Sequence, residues 1–429
     1  MTTVYEPHVL PEVLGGVDLT DQSRFATGVP YDVFARLRRE APVLSHPPGH
    51  SVDGEPFWVL SRYADIAVAA TDPVFSTRTG GTRTGGGTHL DDLEMGVHAG
   101  AFVAMMDDPR HRLVIDLVKE PMSASTATSL GARFRELAAE VIDAAVERGS
   151  CEFATDVAGP YAMRAVALAV GAPRSDWDQL VEWNRVVSNV TSRTTGTSDD
   201  PKARTVTAAT FGYSEELVAA KRACPAHDIA SALAVGEIPG GYGEGPVTGY
   251  ERVLNVWLML LTGSEQPRNT ASGAVLALAQ HPGQWRALRE DRSLLDGAIE
   301  EALRWMPPNP YNRRTVTRDL DFRGVPMRAG DKVTLWWPSA NRDEAVFPDP
   351  DTFDIRRHPN PHMAFGHGRY PCAGDHLGRA ELRAFLDVLL DRVAEVRVTA
   401  PVTYLPSNKH TVVSSMPLEL VPAAPTGVA

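Results

Sequence analysis

The sequence predicts a mainly α-helical protein with small β-sheets, and three observations lead there. The run Gly249–His281 is apolar nearly all round from Val253 to Leu261, as in a helix buried through a molecule's middle. At the α-helical rise it is about 50 Å long. From Leu377 to Val393 apolar residues recur at three and four, with Arg379, Glu381, Arg383 and Asp387 between them, which describes an amphipathic helix. Strand-like stretches are short by comparison: Phe57–Leu60, Val333–Trp337, Val396–Val398 and Leu418–Val421.

Composition narrows the function. A length of 429 residues would by itself allow two or three domains, and 43% hydrophobic residues supply ample core. A net charge of −12 argues against nucleic acid as a partner, because phosphate binding calls for a basic surface. Three cysteines (Cys151, Cys224, Cys372) make no disulfide framework and fit a reducing compartment. Met1–Gly15 carries Glu6 and Glu12 and no apolar run, so neither a signal peptide nor a membrane anchor is expected, no membrane partner either, and the location is cytoplasmic.

Taken in order, residues 1–20 are expected to lie extended over the surface. A short helix follows Pro30, a strand Phe57–Leu60 follows the turn Ser51–Gly54, and Tyr63–Ala70 is helical. Thr77–Gly100 holds Gly80-Gly81 and Gly85-Gly86-Gly87 among threonines and arginines. It offers no apolar periodicity and is expected to be a long flexible loop of functional kind. Asp107-Asp108-Pro109 opens a helix that contains His111. Residues 130–148, 160–171, 172–195 and 206–222 read as helices, with Thr191–Pro201 a polar break and Gly240–Gly245 a turn that lacks the features of a phosphate loop. Glu301 and Arg304, spaced i, i+3, share a helix face. The prolines and asparagines from Met306 to Asn312 make a rigid bend, and Asn341–Pro359 is a turn-rich meander.

The chemistry is concentrated at Phe365–Gly374. A lone cysteine is usually structural. Here Cys372 stands behind a glycine-rich turn, just ahead of the helix capped at Gly374 and Asp375, where the helix N-terminus should lower a thiol pKa. Glycines at 366 and 368 let backbone approach something flat.

Phe365-x-x-Gly-x-x-x-Cys-x-Gly374 resembles the haem-thiolate loop of the cytochrome P450 family. Glu301-x-x-Arg304, Asn341-Arg342-Asp343, Phe347-Pro348-Asp349-Pro350 and Asn360-Pro361-His362 extend the resemblance over nearly the whole chain. It implies the cytochrome P450 fold as one domain over 1–429, with haem b as cofactor and Cys372 as the axial ligand of its iron. Phe365, Gly366 and Gly374 of the same loop would bind the haem with it. His362, His111, Arg112 and Arg314 would contact the haem, with Arg313 as the alternative to Arg314. Ile115 stands where the family commonly has an arginine, and Tyr370 where it often has histidine or arginine. Glu301 and Arg304 would lock the region under the cysteine loop, completed by Arg342, Arg356 or Arg357.

Other implications concern the pocket. Thr77–Gly100 would cover it, and Thr191–Pro201 would be a hinge of its lid. Thr262, Gly263, Asn309, Pro310 and Tyr311 would face substrate, with His410 on a turn near Asn408–Thr411 dipping in. The central helix departs from the family pattern. Where an acid is usually followed by threonine, this chain has Glu265-Gln266-Pro267. The alcohol helps hold the water chain that delivers protons to dioxygen. An amide relays protons less readily, and Pro267 should kink the helix. Glu265 and Gln266 are therefore the expected catalytic pair.

The resemblance implies a monooxygenase-type oxidoreductase. It would oxidise a small organic molecule with dioxygen and electrons from a ferredoxin-type donor, in bacterial specialised metabolism. The donor is expected to dock on a basic patch of Arg112, Lys119, Arg369, Arg379 and Arg383. Two alternatives stand beside this: oxidative coupling, cyclisation or desaturation without oxygen insertion, and a non-catalytic haem-binding sensor.

Overall fold

The computed structural model describes residues 10–50, 54–187, 200–238 and 245–424. The expected turn at Ser51–Asp53, most of the hinge Thr191–Pro201, the end of the helix expected over 172–195, and the glycines from 240 to 244 lie outside the described residues.

The described helices, in chain order, are α1 (Tyr31–Glu40), α2 (Tyr63–Thr71), α3 (Arg110–Val118), α4 (Ala124–Arg148), α5 (Gly159–Val170), α6 (Trp177–Val187), α7 (Pro201–Ala223), α8 (Ile229–Val235), α9 (Gly249–Gln280), α10 (Pro282–Glu290), α11 (Leu295–Trp305), α12 (Trp337–Ala340) and α13 (Asp375–Arg392). Their ends follow local chemistry. Thr248 and Glu251 form a reciprocal capping box that starts α9, with Glu251 N–H donating to Thr248 Oγ1 at 3.1 Å and Thr248 N–H to Glu251 Oε2 at 2.8 Å. Ser123 caps α4, which ends at Gly149 in the left-handed region (φ 74°).

Helices α4, α5, α9, α11 and α13 enclose the main apolar core, in which Phe134, Ile142, Phe153, Val256, Val275, Phe385 and Leu389 are fully buried. At Gly263, α9 meets α5 at close range. A Cβ there would stand 2.4 Å from Val166 Cγ2, so the glycine is needed for helix contact. Helix α9 continues unbroken through Pro267.

A sheet of five strands flanks the helical body in the order Val43–His46, Phe57–Leu60, Lys332–Trp336, Tyr311–Val316, Phe75–Ser76. Phe57–Leu60 and Lys332–Trp336 run parallel, and the other neighbours are antiparallel. A second sheet joins Val393–Val398 to Pro417–Pro422 and Ser150–Glu152.

Two expectations need correction. Residues 10–20 are not simply laid over the surface. Leu14 and Leu19 are fully buried in a second core with Phe34, Tyr311 and Trp336. Thr77–Gly100 is folded rather than a loose loop. Gly85–Gly86 pairs with Leu93–Glu94, and a Cβ on Gly86 would meet the Arg78 carbonyl at 1.4 Å. Polar bonds fix the segment to its surroundings: Arg313 Nη1 reaches Asp92 Oδ1 at 2.7 Å and Lys332 Nζ reaches the Leu90 carbonyl at 2.7 Å. Glycines and buried charge take the place of apolar periodicity, so a reading based on hydrophobic pattern passes over it.

Replacing Gly263 by alanine should overpack the α5–α9 crossing and cost about 1–3 kcal/mol. Adding Val166→Ala should recover most of that loss in chemical denaturation. An unaltered single variant would show that the crossing has slack.

Candidate active site

The cysteine loop is held from both sides. Gly366 and Gly368 have φ of 78° and 73°, in the region that side chains disfavour. A Cβ on Gly368 would lie 2.5 Å from the Ala70 carbonyl, the acceptor for Arg369 N–H at 3.1 Å, so the loop docks on the end of α2. Cys372 N–H donates to the Phe365 carbonyl at 2.8 Å, closing the loop. The Phe365 ring lies under the Arg379 guanidinium at 4.5 Å. The Cys372 side chain is accessible although protein surrounds it deeply, as expected of a group on a cavity wall. Burial pushes its thiol pKa up, and the Gly374 N–H and Arg379 only partly oppose this. The expected net lowering by the helix N-terminus does not occur. A thiolate here calls for a metal ion to stabilise it.

Beside the loop, His111, Arg314 and Tyr370 come together. Tyr370 meets the His111 ring edge-on at 4.8 Å, stands 5.6 Å from the Arg314 guanidinium, and donates its hydroxyl to Asp107 Oδ1 at 3.1 Å. Arg314 is buried. Its Nη1 donates to the Arg313 carbonyl at 3.1 Å, its buried Nε has no partner, and no carboxylate lies within ion-pair distance among the described residues. Burial pushes its pKa down to about 10, so it stays charged at neutral pH. A buried guanidinium in this state is suited to an anionic group such as a haem propionate. The residues present therefore fit a haem.

Other expected contacts are placed elsewhere. Arg112 is 71% exposed and pairs with Asp108 Oδ2 at 3.3 Å, so it points to solvent instead of substituting for the missing arginine. His362 lies beneath the loop, with Nε2 3.0 Å from Glu300 Oε2 and Nδ1 accepting from Ala364 N–H at 3.2 Å. Both of its ring nitrogens are engaged in holding the loop. Arg313 anchors the 77–100 segment through Asp92.

The network under the loop resolves the third partner. Arg304 Nε and Nη2 donate to both Glu301 oxygens at 2.7 Å, and Arg357 Nε lies 3.2 Å from Glu301 Oε2. Arg342 instead pairs with Asp351 and sits 3.9 Å from the rings of both Tyr31 and Trp305. Glu300 is bonded by His362 and Arg379, which hold its carboxyl down to about 2.

On the pocket side, Thr262 is exposed at the middle of α9, its hydroxyl donating to the Leu258 carbonyl at 2.8 Å. At Gly263 the space a Cβ would need is taken up by Val166 Cγ2, 2.4 Å away. Tyr311 is also corrected: its ring is fully buried against Trp336 (4.7 Å) and His89 (5.6 Å), behind the wall. Pro310 is buried and its carbonyl accepts from Trp337 N–H at 3.0 Å. The Asn309 and Asn312 amides face each other at 3.0 Å. The turn 407–411 does dip inward, with Ser407, Asn408, Lys409 and Thr411 buried. It brings His410 Nδ1 to 3.3 Å from Gln266 Nε2 and 3.9 Å from Glu265 Oε1. His89, its ring 5.5 Å from that of His410, was not singled out by sequence; it follows a glycine run with no spacing to flag it.

The expected basic patch is largely neutralised. Arg112 and Arg369 share Asp108, Arg379 holds Glu300 and Asp375, and Arg383 pairs with Asp296. Lys119 is exposed.

The sequence model described as Cytochrome P450 matches residues 258–412. Cytochrome P450 126 of Mycobacterium tuberculosis is 39% identical over 412 residues, covering 95% of this chain and 98% of its own. A steroid C26-monooxygenase of Mycolicibacterium smegmatis is 33% identical over 411 residues, covering 95% and 97%. The crystal structure of CYP108D1 from Novosphingobium aromaticivorans matches with a TM-score of 0.83 at 28% identity, covering 97% of this chain and 100% of its own.

Two outcomes follow for the supporting network. Glu301→Ala leaves the Arg304 and Arg357 guanidiniums without their shared carboxylate and should destabilise the protein by about 3–5 kcal/mol in urea unfolding. For Glu300, the folded carboxyl titrates at about 2 against an ordinary 4.5, so its stabilisation is complete above 4.5 and lost as pH falls towards 2. Glu300→Gln should therefore be less stable than wild type at neutral pH, and the two stabilities should converge over that acid range. Parallel curves would remove this carboxyl from the account of acid sensitivity.

Proposed function

Because the chain belongs to the cytochrome P450 family, whose members are haem-thiolate enzymes, we propose that it oxidises a small organic molecule with dioxygen, drawing electrons from a ferredoxin-type donor. The observation that carries this reading is the conjunction of Cys372, on a loop docked to α2, with Arg314, a buried cation that no described carboxylate pairs.

In this reading Cys372 would supply the thiolate, and His111, Arg314 and Tyr370 would hold the propionates. When bound, the haem supplies oxygen activation, which electron donation from the thiolate favours. The polypeptide does the rest. The Glu301–Arg304–Arg357 network fixes the meander beneath the loop and so fixes where the sulfur points. Glu265 and Gln266 hold hydrogen-bonded water on the pocket face of α9. Thr262, Asn309 and His410 give that pocket polar contacts, which suits a substrate with hydrogen-bonding groups.

The donor would meet the face of α13 and the cysteine loop in the bacterial cytoplasm, and the product would serve specialised metabolism. Because the arginines there are paired, docking would depend on local contacts more than on a long-range positive field. Coupling, ring formation or desaturation is the second reading. It is favoured by Gln266, since an amide carries no readily transferable proton.

Reduced protein treated with carbon monoxide should absorb at the thiolate-ligated position, and Cys372→Ala should lose that band. Oxygen consumed with reductant separates an enzyme from a sensor, which would bind without turnover. Arg314→Met tests the cation. Removing an unpaired buried charge should stabilise the haem-free protein by about 1–3 kcal/mol while accelerating haem loss. A variant that changed neither would show that Arg314 has no part in holding the cofactor.

A further inference from the structure

Gln266 stands where an alcohol was expected, and the structure sets an imidazole directly against it. His410 Nδ1 lies 3.3 Å from Gln266 Nε2 and 3.9 Å from Glu265 Oε1. The turn carrying it is held firmly. Lys409 N–H and His410 N–H donate to Ser407 Oγ at 3.2 and 3.3 Å, Thr411 N–H to the Pro308 carbonyl at 2.9 Å, and Asn408 Nδ2 to the Leu19 carbonyl at 2.9 Å. Helix α9 also grips the strand that follows this turn. Arg268 Nη2 donates to the Val413 carbonyl at 3.2 Å while its Nε reaches the Ala154 carbonyl at 3.1 Å. The imidazole and the acid–amide pair are thus fixed relative to each other.

We propose that His410 is the proton-handling residue of this pocket, exchanging protons with Glu265 while Gln266 accommodates both protonation states of the ring. With Nδ1 bare, the Gln266 amide N–H donates to it. With Nδ1 protonated, the amide turns over and offers Oε1, a buried oxygen with no other hydrogen-bond partner. A threonine hydroxyl is too short to reach across in this way. The exchange balances: a neutral His410 takes at Nδ1 the proton that a protonated Glu265 gives up across the 3.9 Å gap through a bridging water, leaving imidazolium and carboxylate, and the reverse step restores both.

The groups facing His410 support a single mobile proton. Glu265 approaches from α9 and His89 from the 77–100 segment. Lys409, paired with Asp91, sits beside it on its own turn, and Arg313 stands on the strand behind. Burial and the charges of Lys409 and Arg313 push the His89 pKa down to about 3, so this neighbour stays neutral and does not repel a charged His410.

This inference rests on the haem-thiolate reading, and the test separates the two. In reduced, carbon-monoxide-treated holoenzyme labelled with 15N-histidine, the His410 ring nitrogens are expected to report a protonation change with pH, while those of His89 report a neutral ring. His410→Asn and His89→Phe would assign the signals. Glu265→Gln should lower His410 proton affinity roughly threefold or more, and Gln266→Leu should shift it by a similar factor. The carbon monoxide stretching band should shift with the same midpoint in wild type and lose that shift in His410→Asn. If neither Glu265→Gln nor Gln266→Leu moved the His410 midpoint, or if the infrared band ignored pH in wild type, His410 would not handle protons here. If the thiolate-position absorption were itself missing, the parent reading would fall and this one with it.

Discussion

The geometry of the site depends on one buried carboxylate. Glu301 is fully buried in α11 and accepts from Arg304, Arg357, Asn360 Nδ2 (3.1 Å) and Asp354 N–H (2.8 Å). Arg304 in turn donates to the carbonyls of Asn341, Pro350 and Thr352. A chain segment with little regular structure is thereby tied to a rigid helix at both of its ends. An exposed pair at this spacing would contribute only ~0.3 kcal/mol. Burial, with nearly every donor and acceptor satisfied, turns it into a geometric constraint, because moving any one strand of the meander would strand a charge.

That constraint is transmitted to the cysteine in two short steps. Asn341 Oδ1 accepts from Met363 N–H at 2.7 Å, two residues before Phe365, and the Phe365 carbonyl takes the Cys372 N–H. Next to Glu301 on the same helix, Glu300 binds Arg379 in the first turns of α13 and His362 ahead of the loop. Neighbouring acids on α11 therefore hold the two sides of the loop independently. His362 belongs to this support, with both ring nitrogens bonded within it.

What the sequence made legible divides along physical lines. The α9 boundary was readable to within one residue, since an all-apolar run with a capping box leaves few alternatives. The Cys372 loop and the Glu301–Arg304 pair were readable because their spacing is short-range. Arg357 was not separable from Arg342 and Arg356, because the choice depends on how a meander folds back and on which arginine finds carbonyls to bond. Arg112 and Tyr311 were misplaced for the same reason: side-chain direction is a tertiary property. Thr77–Gly100 carried the largest error. Its order comes from Arg313, Lys332 and Arg83 bonding to its carbonyls and acids, and buried polar bonds leave no periodic trace.

The changes on α9 make more sense together than singly. A proline at 267 removes one backbone donor, yet the helix continues, and the residues around it are unusually polar for a buried stretch: Arg268 and Asn269 are buried, as are Thr270 and Ser272. Arg268 spends its donors on two elements outside α9, the turn at Ala154 and the strand at Val413. A charged residue in a helix interior is costly unless such bonds repay its desolvation. Here they also fix the strand that follows the His410 turn onto the helix that carries Gln266. Loss of the alcohol, gain of the amide, and a tethered imidazole within hydrogen-bonding reach are then parts of one arrangement, in which the polar group over the pocket comes from a different segment of the chain.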